Sequence, residues 1–453
     1  MTDAVDLAPI SGGTAGAPLR VAYILHRFPY LTETFIAREM YWIQRYNVAV
    51  SIFSLMRPKH PPASDEATAL ADRTRYSRAL SWRVLQAQFR FLRRSPVAYL
   101  RALAGIVRQT YREPKVMALA LALFPKSVLF AAQIEEQQVQ HVHAHFVWLE
   151  GLTAGVVREL TGVPFTIHPH AFGLFGRNPG NVRREIANAN HVVTISDYHR
   201  AYITSLCPTV GDSDVSVVRC GVPPALIDQQ APRVPSEPPR ILSVGRAVEK
   251  KGHEYLVDAC ALLRDRGLRF ECDIVIGGDA GRRALQERID RHELAALVRL
   301  LGAHDQHEVL ERYRSSDIFA LACVVSADGD RDGIPVVLME AMASELPVLS
   351  TQVSAIPELV EDEVSGLLVR PRDATALAAA LERLLTDREL RTRLGRQGRE
   401  VVRAAFNAEQ NAGVLAEVFR RVVSQAASPT RGGTARTYLR SHRVANEKER
   451  SSP

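Results

Sequence analysis

Cysteine is sparse in this chain: five among 453 residues, an odd number, and never in a CxxC pair. That excludes a disulfide-stapled scaffold and a thiol-built zinc ribbon, and it leads us to expect a reducing, cytoplasmic setting. No apolar run reaches the roughly 20 residues that cross a bilayer. The longest, VMALALALF at 116–124, meets Pro125 and Lys126 and is expected to stop there. The first 19 residues hold acidic residues early and no apolar segment, which fits a disordered leader and not a signal peptide. Zinc-finger, RNP-type and basic-zipper patterns are absent, so nucleic acid is not an expected partner. A GxxxxGK[ST] loop and a fixed-period repeat are missing too.

What is present begins with DGDRDGIPVVLME at 328–340. Asp328, Asp330, Asp332 and Gly333 match the first half of an EF-hand loop, but position 12 is Met339, a poor ligand for a hard cation. Glu340 comes one residue late, turned roughly 100° around a helix. The aspartates are therefore read as a polar loop between a buried strand (317–325) and a helix opened by Pro335, with no metal.

Charge is unevenly placed. The formal net charge is +7, yet nine Lys and Arg between Arg83 and Lys126 face only Glu113, and six against two follow Ser428. The remainder of the chain is net acidic. Within 83–126, Arg alternates with Leu, Phe, Tyr and Val at helical spacing, which suits either an anionic membrane surface or ordinary domain helices with solvated arginines.

Strands and helices alternate from residue 20 onward, which predicts an α/β fold of parallel sheets. A stretch with six prolines at 223–240 divides the series in two. The expected organisation is a leader (1–19), an acceptor-side Rossmann-like domain (20–222), a linker (223–240), a nucleotide-sugar-binding Rossmann-like domain (241–405), a C-terminal helix (406–424) and a basic disordered tail (425–453). Two such sheets would face each other across a cleft, with chemistry in the loops after the strands.

In SVGRAVEKKGHEYL (243–256) a strand ends at Gly245, and the loop offers Arg246 and Lys251 to a diphosphate. The helix opened by Gly333, Ile334 and Pro335 adds free N–H groups and a partial positive charge. Glu340 sits in the apolar run VVLMEAMA and needs a partner there, for which a ribose diol is suited, while Asp332 can face a sugar ring. HVHAHFVW places His141, His143 and His145 on one strand face; zinc comes to mind, but the sequence offers no evident fourth ligand.

DGIPVVLMEAMASELPVLST resembles the E-x7-E donor motif of family 4 retaining glycosyltransferases, and VGRAVEKKGHEYLVDA resembles their phosphate-gripping loop. FPYLTETFI, HAHF, CGV and GDRDGIP are similar to the subgroup that builds bacterial exopolysaccharides of the colanic acid type. The resemblance covers roughly residues 20–424. It implies a GT-B fold, a nucleotide-diphosphate-sugar donor (UDP ahead of GDP), a lipid-linked glycan acceptor, no cofactor and no required metal. The setting it suggests is the cytoplasm, with the inner face of the plasma membrane as a docking surface. By position it makes Arg246 and Lys251 the diphosphate cations, Glu340 the ribose ligand, and Asp332, where the family usually has Glu, the residue facing the transferred sugar. PFTIHPHAFGLF is similar to an H-A-x-D segment, which puts His170 beside the donor sugar, with His168 as the rival and Gly173 in place of the aspartate. Asp279 and Ala280 replace a family glycine and proline. The usual loop glycines after the first strand are missing, so acceptor choice falls to Arg27, Tyr30 and Glu33, with His145 near the acceptor side. A nucleotide-sugar epimerase of the same fold and a non-catalytic glycan-binding or membrane-scaffold protein stay open as alternatives.

Overall fold

A computed structural model of the protein describes residues 16–428 apart from 31–32, 60, 63, 78–80, 230–234 and 278–280. Most of the expected leader, the tail beyond 428, and Asp279 and Ala280 lie outside the described residues.

Seven parallel strands form the first sheet: β1 (Leu19–Arg27), β2 (Val48–Met56), β3 (Thr74–Tyr76), β4 (His141–His145), β5 (Phe165–His168), β6 (His191–Thr194) and β7 (Val215–Val217). Their order is β3-β2-β1-β4-β5-β6-β7. The second sheet holds β8 (Arg240–Arg246), β9 (Glu271–Gly277), β10 (Val298–Leu301), β11 (Ile318–Ala320), β12 (Val348–Thr351) and β13 (Leu367–Val369), all parallel, in the order β10-β9-β8-β11-β12-β13. The α/β expectation of two Rossmann-like sheets holds. Each order reverses beside its first strand, at β1/β4 and at β8/β11, which leaves a crevice at the carboxyl ends of those strands.

Side-chain alternation explains the layers. On β1, Ala22 and Ile24 pack into the core under the helix Pro114–Glu136, whereas Val21, Tyr23 and Leu25 face the first helix, Thr34–Trp42, and the last, Ala408–Ala427. The chain thus crosses from the second sheet back to the first. At the crossing Val222 N donates to Phe406 O (2.9 Å) and Ala408 N donates to Val222 O (3.0 Å).

Three expectations are corrected. The run at 116–124 does not end at Pro125, because one helix continues from Pro114 to Glu136. An internal proline costs about 3 kcal/mol, but burying Leu123, Phe124, Val128 and Phe130 on both sides of it contributes about 1.5–3 kcal/mol each. By length and composition this helix could cross a membrane, yet 61% of its most apolar window is packed inside the domain. The proline-rich linker opens with a short helix, Pro224–Asp228, that buries Ile227. The strand read at 317–325 is paired only over Ile318–Ala320.

Candidate active site

The crevice contains a cavity of about 630 Å³ between the two sheets. From the second sheet, Gly245 and Arg246 reach it at the end of β8, Lys250 and Lys251 from the turn that follows, and Asp332, Gly333, Ile334, Pro335 and Glu340 from the loop after β11 and the helix Val336–Ala343. From the first sheet come Arg27, Tyr30, Glu33 and His170. Residues as distant as 27 and 340 therefore share one wall of solvent.

The turn after β8 is shaped by close approach. Gly252 has φ +63°, and a Cβ there would sit 1.7 Å from the Ala322 carbonyl oxygen, so only glycine brings Lys251 over the end of β11. Lys251 Nζ lies 2.7 Å from Asp332 Oδ2. Lys250, which sequence reasoning did not single out, pairs with Asp330 at 2.9 Å and with Asp332 at 3.7 Å. Asp332 is held below the usual carboxylate range, since Lys251 and then Lys250 outweigh its burial, and Lys251 is correspondingly raised by Asp332. Arg246 is exposed on the cavity wall and makes no ion pair among the described residues. Its guanidinium is thus free to meet an incoming anion. The helix Val336–Ala343 starts from Pro335 with no side-chain cap; Leu338 N donates back to Pro335 O (3.0 Å), and no side chain caps the amides ahead of it. Gly333 lets the chain pass closely at its entrance, where a Cβ would come within 2.7 Å of the His199 ring and force it to shift.

Glu340 finds its protein partner across the crevice. Arg38 Nη2, on the buried face of the first helix, donates to Glu340 Oε1 at 2.7 Å, and Tyr313 OH donates to Oε2 at 3.3 Å. A carboxylate has about four lone-pair sites, so capacity for a diol is left. Nothing local in the sequence announced Arg38; the pairing spans 302 positions.

On the opposite wall, Glu33 precedes the first helix without a side-chain cap bond to it, and burial pushes its carboxyl up to about 7, opposed by Arg246. Glu150 is buried beside it and is pushed further up by burial, with one oxygen unpartnered. His170 sits at the start of a short turn and stacks on His168 (4.4 Å between centroids), with Phe35 at 4.8 Å. His168 lies behind it, fully buried and outside the cavity lining, which favours His170 over its rival. The acceptor-side placement of His145 is corrected: it is fully buried and reaches the cavity only through its 2.9 Å hydrogen bond to His170 Nε2. Gly173 explains the missing aspartate. Its φ is +87°, and a Cβ would lie 2.7 Å from the Val147 carbonyl oxygen.

The sequence pattern described as "Glycosyl transferases group 1" matches residues 226–401. A protein named as a colanic acid biosynthesis glycosyltransferase, WcaL, of Escherichia coli strain K12 is 32% identical over 411 residues, covering 86% of this chain and 96% of the relative. An amylovoran biosynthesis glycosyltransferase, AmsK, of Erwinia amylovora is 42% identical over a shorter stretch, 39% of this chain and 43% of its own. Among solved structures, sucrose-phosphate synthase from Thermosynechococcus elongatus superposes with a TM-score of 0.66 at 19% identity, covering 90% of this chain and 99% of that one. Anabaena HepE in complex with UDP-glucose gives 0.65 at 14%, covering 88% and 99%. The fold is the two-sheet GT-B architecture, and the chain, an enzyme, belongs to the group 1 glycosyltransferase family.

Proposed function

We propose that this enzyme transfers a sugar, with retention of anomeric configuration, from a nucleoside diphosphate sugar to a hydroxyl of a lipid-linked glycan during exopolysaccharide synthesis. The observation that carries the reading is convergence: unpaired Arg246, the Lys250–Lys251 turn and an uncapped helix start border one cavity at the switch point of the second sheet. Such an arrangement stabilises a departing diphosphate while the sugar becomes oxocarbenium-like. Asp332 steers Lys251 toward that phosphate, and Glu340, fixed by Arg38, accepts the ribose diol. Attack comes from the front face, with the leaving phosphate oxygen taking the acceptor's proton. Exopolysaccharide as the destination follows the names of WcaL and AmsK. UDP ahead of GDP accords with the UDP-glucose complex of HepE.

The acceptor's lipid accords with the outer face of the basic segment. Trp82, Leu85, Phe89 and Leu92 recur at helical spacing on Trp82–Arg94, and Val97, Leu100, Val107 and Tyr111 on and just after Pro96–Thr110; all eight are exposed, Trp82 by 72% and Phe89 by 66%. Val84, Ala87 and Phe91 face the core instead. An apolar outer stripe edged by Arg83, Arg93, Arg94 and Arg101 suits the inner, anionic face of the plasma membrane.

The test is a panel of UDP- and GDP-sugars read by thermal shift, followed by turnover with and without a lipid-linked acceptor. Stabilisation by about 2.7 kcal/mol at 100 times Kd, and product with the donor's anomeric configuration only when acceptor is present, is expected. Conversion of the donor alone to an epimer would replace this reading with an epimerase, and absence of any nucleotide binding would remove it.

A further inference from the structure

Behind His170, the first sheet's switch point holds a cluster that the donor chemistry does not use. β4 contributes His143 and His145, β5 contributes His168, and the first helix contributes Glu39. His143 Nε2 lies 3.3 Å from His168 Nδ1. Glu39 Oε1 lies 3.1 Å from His145 Nε2 and 3.5 Å from His143 Nε2, and Oε2 lies 3.6 Å from His168 Nδ1. We propose that these four side chains form a binding site for one divalent transition cation of the zinc class.

Four considerations carry it. A tetrahedral zinc with bonds of roughly 2.0–2.1 Å has ligand–ligand edges of about 3.4 Å, and with Glu39 Oε1 as the ligand oxygen the separations of 3.1, 3.3 and 3.5 Å bracket that length. No two of the four ligand atoms are more than 4.8 Å apart, so the widest edge closes by roughly 1.4 Å through side-chain rotation. Two of the three outer nitrogens are held as metal-bound histidines require: His143 Nδ1 is 2.6 Å from Thr166 Oγ1, and His145 Nδ1 is 2.9 Å from His170 Nε2, whereas His168 Nε2 is buried without a partner among the described residues. Finally, Glu39 pairs with no Lys or Arg among the described residues; its ion-pair partners are the three imidazoles, of which His143 and His145 are fully buried. Three nitrogens and one oxygen around such a carboxylate suit zinc better than calcium or magnesium, which prefer all-oxygen sets.

Bound there, the cation pins the first helix to two strands one residue away from Arg38, the partner of Glu340. It also fixes a proton on His145 Nδ1, so His170 accepts through Nε2 and carries its own proton on Nδ1. His145, His168 and Glu39 are positioning residues in this scheme. The sequence did not reveal the set, because Glu39 lies more than a hundred residues from the histidine strand.

The site rests on none of the donor-binding reading, and its test uses no substrate. Full-length protein carrying no histidine tag is purified, its metal content measured, and the chelated protein titrated with Zn²⁺ and with Co²⁺. About one equivalent of zinc per chain is expected, together with the visible d–d absorption of tetrahedral Co²⁺ and a Tm that falls by several degrees on chelation. Glu39→Gln, which keeps the side chain's shape, and His143→Ala should each lose the cobalt absorption and most of the bound metal, with folding checked by circular dichroism. A folded wild-type chain without stoichiometric metal and without cobalt absorption overturns the proposal and leaves a hydrogen-bonded histidine network. Metal retained in folded Glu39→Gln overturns it equally. The wild-type cobalt spectrum decides the matter even where a variant does not fold.

Discussion

The two sheets share a strand order and a switch point, yet opposite chemistry occupies the two crevices. At β8/β11 the loops supply cations, and the carboxylates Asp330 and Asp332 are ion-paired to them. At β1/β4 the side chains are buried imidazoles and acids; burial lowers His143, His168 and His170 and raises Glu33 and Glu150. One wall presents Arg246, Lys250 and Lys251 to the cavity. The other holds imidazoles and acids that burial biases toward their neutral forms, with Arg27 also lining the cavity. The same backbone topology therefore fixes where a ligand binds and leaves the kind of ligand to loop residues.

The strongest way to break this comparison is to cut the link between the walls. Arg38 is 1% exposed, and removing it strands Glu340 as an uncompensated buried charge. Arg38→Met is expected to cost about 3–5 kcal/mol of stability, read by urea unfolding. The double variant Arg38→Met/Glu340→Gln should recover part of that loss. If the single variant is as stable as the wild type, the two walls are not held together by this pair.

Next in size is the cationic wall itself. Arg246→Ala should lower kcat/KM by about 10²–10³, the effect of about 2.7–4 kcal/mol typical of a lost transition-state charge contact. Because Arg246 is exposed and unpaired, unfolding should be unchanged within about 0.5 kcal/mol. Unchanged turnover would remove the diphosphate assignment while leaving the fold untouched.

These two residues also show what the sequence made legible. Arg246, Lys251, Asp332 and Glu340 follow strands or open a helix, so strand ends plus charge type were enough to place them near one another. The alternation in β4 put His141, His143 and His145 on one strand face. Arg38, Lys250, Glu39 and Glu150 were not legible, since each acquires its role from a neighbour brought in by the sheet order and not by local spacing. Pro125 misled for a related reason: its local cost is real, but tertiary burial on both sides is larger. Gly173 looked like a lost ligand and is a steric requirement set by the Val147 carbonyl.

A smaller effect is expected at the apolar outer stripe, far from both walls. Trp82→Glu with Phe89→Glu should reduce co-sedimentation with anionic vesicles roughly tenfold or more, since burying each aromatic side chain contributes about 1.5–3 kcal/mol. Activity on a water-soluble acceptor should persist. Equal binding to neutral and anionic vesicles would dismiss the role of the arginines, and unaltered binding by the variant would dismiss the stripe.

The subtlest test asks whether Glu33 stays neutral. Burial pushes the Glu33 carboxyl up to about 7, opposed by Arg246 across the cavity. Below that pH its carboxyl is protonated and Arg246 is left to the diphosphate; above it the carboxylate competes for Arg246 and repels the donor. The donor KM should therefore rise as pH increases through 7, by roughly three- to tenfold, equivalent to about 0.7–1.4 kcal/mol. Glu33→Gln should flatten that rise and hold KM at its low-pH value, whereas a conserved break near pH 7 would assign the titration to another group and would mean that the two walls do not sense each other's charge.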